Sequence, residues 1–207
     1  MKCKLFSVFP ALLAVACLFC ACQSGPPSIS ADPAPLSAEE AAKLQQELAP
    51  SGSEGMMSMG EITVEEILAD GWLPVYAQVT GEEEIFENAQ GNMDFFRIPL
   101  KILHDPSGHY EEGQEVALYS NTMFRGTLPE LKEGDVFVAP MTDCLDVHQD
   151  SDDVLRVDIY DVGCYTITQD GHAIAAYTEY PDFQQNGVGL ATLLEAYEAL
   201  LSTDSNS

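Results

Sequence analysis

Across residues 73–177 the chain repeats one pattern. Short runs in which apolar and polar residues alternate are broken by turn signals about every ten residues. Val75, Ala77 and Val79 alternate with Tyr76, Gln78 and Thr80, which predicts a half-buried strand. Phe96, Ile98, Leu100 and Ile102 alternate with Phe95, Arg97 and Lys101. Pro99 inside that run predicts an edge position or a bulge, because proline donates no ladder hydrogen bond. Residues 82–92 read as an acidic loop, 115–120 and 136–141 as further short strands, and Leu155, Val157 and Ile159 as a weaker one. Residues 165–168 and 173–177 flank Gln169-Asp170-Gly171-His172, and Asp-Gly between two β-rich runs predicts a type I′ hairpin turn. Thr63 caps a short helix over Val64–Ala69, with Glu65 and Glu66 in its first turn and Gly71 past its end. Leu190, Leu193, Leu194, Tyr197 and Leu201 recur at helical spacing. The expected domain, residues 61–202, is mainly β: a small antiparallel barrel or sandwich of six or seven short strands. A short N-terminal helix and a C-terminal helix frame it, and residues 203–207 form a tail.

Four stretches carry a resemblance: residues 75–81 (Val-Tyr-Ala-Gln-Val-Thr-Gly), 96–103 (Phe-Arg-Ile-Pro-Leu-Lys-Ile-Leu), 112–116 (Glu-Gly-Gln-Glu-Val) and 131–138 (Leu-Lys-Glu-Gly-Asp-Val-Phe-Val). Their order resembles OB-like and netrin-like small β-barrels, and their cadence that of extracytoplasmic lipoproteins. The resemblance implies an OB-like barrel and no particular activity, since a fold of this kind hosts many.

Ahead of the domain, Lys2 and Lys4 precede an uncharged run, residues 5–21, that stops at Ala21-Cys22-Gln23-Ser24-Gly25. A basic start, an apolar middle and a small residue before the cut make a secretory signal. The run is marginal for a membrane span, which takes about 20 apolar residues, and Pro10 interrupts it. Phe19-Cys20-Ala21-Cys22 resembles the lipobox of bacterial lipoproteins, with Phe19 standing where leucine is usual. Cys17 is the rival position, but a cut there leaves Leu18 and Phe19 on the mature end, whereas polar residues follow Cys22. The resemblance implies removal of residues 1–21, a diacylglycerol on the Cys22 sulfur, and a place on the extracytoplasmic face of the cell membrane. Residues 22–60 read as a flexible acidic tether rich in Pro, Ser, Ala and Gly, with one helical island stopped by Pro50. As a coil, about 38 residues span on the order of 35 Å.

Charge narrows the partners. The chain carries 8 Lys+Arg against 34 Asp+Glu, a net −26, and loss of Lys2 and Lys4 makes it −28. Nucleic acid is excluded, because phosphate binding needs clustered Lys and Arg. An anionic membrane surface repels such a chain, so the lipid must do the anchoring. The balance suits an envelope protein, a basic peptide or a cation as partner.

Candidate chemistry is sparse. Removal of the signal and lipidation of Cys22 leave Cys144 and Cys164, open to a disulfide or to two separate buried thiols. Two cysteines by themselves make a poor zinc site, which takes four ligands. Aspartates crowd residues 143–161, most densely at Asp150, Asp152 and Asp153, the best set of oxygens for calcium. No glycine makes the sharp turn of a calcium loop and no glutamate closes it, so a solvated acidic loop is the plainer reading. Met56, Met57 and Met59 offer thioethers to copper but sit in linker composition. The sequence has no zinc-protease, nucleophile-elbow or P-loop motif, and Gly187-Val188-Gly189 lacks the third glycine of a dinucleotide loop. The expectation is a non-catalytic binding or interaction module with no cofactor. The alternative is an envelope hydrolase or a calcium- or zinc-dependent protein, which requires two of His104, His109, His148 and His172 to meet a carboxylate in a cleft.

Overall fold

Thr63 caps the helix that leads into the barrel. The computed structural model describes residues 25–30, 32–48, 62–87, 94–144, 154–176 and 183–204. The Thr63 hydroxyl accepts from the Glu66 amide at 3.1 Å and the Glu66 carboxylate accepts from the Thr63 amide at 2.8 Å. This reciprocal capping box starts a helix over Val64–Ala69 and satisfies two amides that the helix itself leaves unpaired. A second helix lies upstream at Ala38–Leu48, in the island read within the tether. In chain order these are α1 (Ala38–Leu48) and α2 (Val64–Ala69).

Among the described residues eight strands follow: β1 (Leu73–Val79), β2 (Glu84–Glu87), β3 (Asp94–His104), β4 (Glu115–Asn121), β5 (Val136–Asp143), β6 (Leu155–Ile159), β7 (Tyr165–Ile167) and β8 (Ala173–Ala175). Helix α3 (Leu190–Asp204) closes the chain. β1 pairs with both β3 and β5, and the path β1-β3-β4-β6-β5 therefore closes on itself as a five-stranded barrel. Every pairing is antiparallel except β4–β6, which is parallel. The mainly β, OB-like barrel with framing helices is thus the architecture. The additional strand β2 lies in the stretch read as an acidic loop, and β7 and β8 extend the sheet from β5.

Inside the barrel sit the alternating residues of each strand: Val75 and Ala77 of β1, Phe96 and Ile98 of β3, Leu118 of β4 and Phe137 of β5. Outside it, a second apolar layer forms where α2, α3, β7 and β8 cover β1 and β5. β1 is for this reason not half-buried. Tyr76, on its outer side, is 2% exposed beneath that layer. Pro99 finds its place by a changeover. β3 pairs with β1 from Leu100 to His104 and with β2 from Asp94 to Arg97. Pro99 lies between the two ladders, where no amide is required on that side, and its carbonyl accepts from Thr80 N–H at 2.9 Å.

The β7–β8 hairpin forms at Asp-Gly with a different turn from the one expected. Gly171 N–H donates to the Thr168 carbonyl at 2.9 Å, and Thr168 N–H to the His172 carbonyl at 2.9 Å. Gly171 alone takes a positive φ, +89°. This is a three-residue loop with a glycine bulge, so Asp170 is spared the left-handed conformation that a type I′ turn would impose on it.

The stretch assigned to a free tether also behaves differently where it is described. Ala41 and Gln45 of α1 are buried, and Gln45 Nε2 donates to the Ala175 carbonyl of β8 at 2.9 Å. Asp32 reaches the start of α3, where its carboxylate accepts from Ala191 N–H at 2.7 Å and Thr192 N–H at 2.8 Å. Coil composition alone did not reveal these partners, which lie more than 100 residues away in sequence.

Candidate functional site

The strand register assembles one surface that the sequence shows only in pieces. On the outer side of β3, Arg97 stands opposite Tyr119 of β4 and Phe95 opposite Phe86 of β2. Parallel pairing places Arg156 of β6 beside Ala117, on that same outer side. The side chains then pack into a row. Phe95 and Tyr119 stack with centroids 5.1 Å apart and planes 20° from parallel, Phe86 lies 5.4 Å from Tyr119, and the Arg156 guanidinium rests 4.9 Å over the Tyr119 ring. Offset stacks and cation–π contacts of this kind give rigid amphipathic area. Tyr119 is buried at the centre of the row, while Phe86, Phe95, Arg97 and Arg156 are half-exposed around it. An ion pair from Arg97 to Glu84 at 2.7 Å holds β2 over the edge, and a second joins Arg125 to Glu83 at 2.6 Å. Beyond the row, Ile85, Met123 and Phe124 are exposed apolar side chains. In OB folds the face of the second and third barrel strands, here β3 and β4, binds oligonucleotides and oligosaccharides.

A second group of polar side chains gathers at one end of the barrel. Tyr110 is buried there, and its hydroxyl donates to Asp143 Oδ1 at 2.8 Å. Asp105 accepts from the Tyr110 amide at 2.8 Å and from the Ser107 amide at 2.8 Å, which fixes the β3–β4 loop. His109 Nε2 lies 3.3 Å from Asp143 Oδ2 on the exposed rim. Burial pushes the Tyr110 hydroxyl far up, and the bond to Asp143 adds to it, so this tyrosine stays a donor. Cys144 follows Asp143, but burial, together with the charges of Asp158 and Asp143, pushes its thiol up to about 12. That is the reverse of what activates a cysteine nucleophile.

The residues singled out in the sequence fare as follows. Cys22 lies outside the described residues, as do Asp150, Asp152, Asp153, His148 and the three methionines. Cys144 and Cys164 are free thiols. The register explains why they stay apart. Tyr165 pairs with Val138, so Cys164 lies level with Ala139, five residues along β5 from Cys144. At about 3.3 Å per residue that is roughly 16 Å, far beyond the roughly 7 Å a disulfide can bridge. The open alternative resolves to two separate thiols. Cys164 lines a cavity of about 290 Å³ between α1, α2 and β7, with Ala41, Val64, Tyr165, Phe183 and Asn186. Burial pushes its thiol to about 12 as well. The described histidines do not converge. His104 ends β3 opposite Tyr76, His109 meets Asp143, and buried His172 sits 3.1 Å from Asp170 and 3.0 Å from the Ala34 carbonyl. Among the described residues no group of three His, Cys, Asp or Glu side chains could hold a metal ion.

The aromatic row escaped the sequence reading because its members are far apart in the chain. Phe95 and Arg97 showed only as the polar-phase residues of one strand, and the signal that could have found the row was that their phase is aromatic. Among the described residues no helix is long and apolar enough to cross a membrane. Compared with known proteins, the chain matches no family model, no curated protein and no solved structure.

Proposed function

We propose that this chain is a lipoprotein anchored by lipid on Cys22 to the extracytoplasmic face of the cell membrane. Its barrel is a non-catalytic binding module. The observation that carries the binding role is the outer row of Phe86, Phe95, Tyr119 and Arg156, an amphipathic platform on the strands that bind ligands in OB-like barrels. An overall net charge of −26 argues against a polyanionic ligand, and the exposed Ile85, Met123 and Phe124 beyond the row favour a peptide or protein segment presenting an apolar or aromatic side chain. The hydrolase alternative finds less support. His109 and Asp143 form a pair, but the neighbouring thiol is pushed away from reactivity.

The anchor is tested by Cys22→Ala, which should move the protein from the membrane fraction to the soluble fraction. Full retention in the membrane would overturn it. The face is tested by immobilising residues 25–207 in wild-type, Phe95→Ser and Arg156→Ala forms against envelope extract. A component captured by the wild type and lost with both variants, at unchanged melting temperature, supports the face. Equal capture by all three removes it.

A further inference from the structure

The first described residues lie on the domain, and they do so almost continuously. The Pro27 carbonyl accepts from the Tyr76 hydroxyl at 3.1 Å. Asp32 accepts from Ala191 N–H, Thr192 N–H and the Thr192 hydroxyl. The Ala34 carbonyl lies 3.0 Å from His172 Nε2, and Leu36 N–H donates to the Gly187 carbonyl at 2.9 Å. Ala41 and Gln45 are then buried. Close approach is built in, because a Cβ on Gly189 would fall 2.2 Å from Asp32 Cγ.

We propose that residues 27–30 and 32–45 are a mooring clasp that holds the barrel against a lipid surface. The β7–β8 turn faces that surface, and the Phe95–Tyr119–Arg156 row faces away. The inference rests on the reading of Cys22 as the lipidated residue.

Reach decides the first part. From Cys22 to Pro27 is five residues, about 17 Å when fully extended. A free tether ending near residue 60 would have a contour above about 120 Å by the same measure. A domain of about 150 residues is itself roughly 40 Å across. A clasped barrel can therefore rise by less than half its own diameter, whereas a free tether would let it leave the surface altogether.

Position decides the second part. A Cβ on Gly171 would lie 3.9 Å from Pro27 Cβ and 3.7 Å from Pro33 Cδ, so the chain joins the domain at the β7–β8 turn. Tyr76, which fixes Pro27, is on the outer side of β1, in the layer that also covers β5. In the closed order β1-β3-β4-β6-β5, strands β4 and β6 lie across the barrel from β1. The aromatic row on β3, β4 and β6 is thereby turned away from the point of attachment. Electrostatics works the same way. A chain of net −28 is repelled by anionic lipid, so the clasp imposes closeness without adhesion and leaves the row in solvent.

Trp72 is the single tryptophan of the chain, so energy transfer from it to dansyl-labelled headgroups in phosphatidylcholine vesicles reads height directly. The full lipidated chain should show transfer. Inserting about 20 Gly/Ser residues between Ser24 and Gly25 adds on the order of 25 Å of reach and leaves the clasp intact. Transfer should then fall severalfold while vesicle binding is unchanged. Equal transfer in the two forms would overturn the mooring. Orientation is read in a Trp72→Phe background. Gln169→Trp at the β7–β8 turn should transfer more strongly than Glu115→Trp on β4, and the reverse order would overturn the orientation. The intact mass of the membrane-extracted protein separates the two readings. An unmodified Cys22 defeats the lipoprotein assignment and the mooring with it, whereas a lipidated chain without height dependence defeats the mooring alone.

Discussion

Asp32 and Gly189 act as one unit although 157 residues separate them. α3 begins just after Gly189, which has no side chain to cap a helix, and Asp32 supplies the missing acceptor. Burial pushes the Asp32 carboxyl up, but bonds from Thr192 and Ala191 outweigh it and hold the group below its ordinary 3.8. A depressed folded value means stabilisation that is present above the unfolded value and lost as pH falls through the folded one. Asp32→Ala should cost about 1 kcal/mol at pH 7, read as a lower melting temperature, and the gap to wild type should narrow below pH 4. Asp158 has the opposite sign. Burial pushes it above 3.8, so its ionisation opposes folding as pH rises past the unfolded value. Asp158→Asn should raise the melting temperature at pH 7 and change it little in acid. The separated thiols give a third expectation: dithiothreitol leaves the melting temperature unchanged, and Cys144 and Cys164 both alkylate on unfolding without reductant.

At the scale of elements, the barrel strands and the hairpin differ in how far sequence specified them. Alternation placed Phe96 and Ile98 on the inner side of β3, where both are fully buried. Phe96→Ala should cost about 3–5 kcal/mol in chemical denaturation, against less than about 1 kcal/mol for Glu84→Gln, which breaks only a largely exposed ion pair. Asp170-Gly171 marked the hairpin correctly, yet its turn type depended on hydroxyl bonds. Thr168 Oγ donates to Asp170 Oδ1 at 2.6 Å and accepts from the His172 amide at 2.9 Å. Those bonds favour the bulged loop, in which only Gly171 needs a positive φ. Gly171→Ala should destabilise by roughly 1–2 kcal/mol. β2 was missed because its four residues carry two glutamates and no clean alternation, and only pairing with β3 makes it a strand.

For the whole molecule, the domain begins earlier than composition suggests. A chain starting at residue 61 keeps the barrel but loses the Asp32 cap, the Gln45 bond to Ala175 and the buried Ala41. Each such hydrogen bond contributes about 1 kcal/mol, so residues 61–207 should be less stable than residues 25–207 by some 3 kcal/mol or more. Matched urea titrations measure this, and equal midpoints would mean that the N-terminal segment contributes nothing to the fold.

Period-two alternation, the capping box at Thr63 and Glu66, and the helical spacing of Leu190, Leu193 and Tyr197 are local physics. They determine a run of short strands between two helices from sequence alone, whereas closure into a barrel depends on β1 pairing with both β3 and β5. The site depended on pairing. Phe86, Phe95, Tyr119 and Arg156 become neighbours only when β2, β3, β4 and β6 align, and parallel pairing of β4 with β6 leaves no local trace. The same holds for residues 27–45. Their composition specifies a tether with one helical island, because they hold few large apolar groups to bury. Their order comes from polar partners on β1, β8 and α3, which only the folded chain brings within reach.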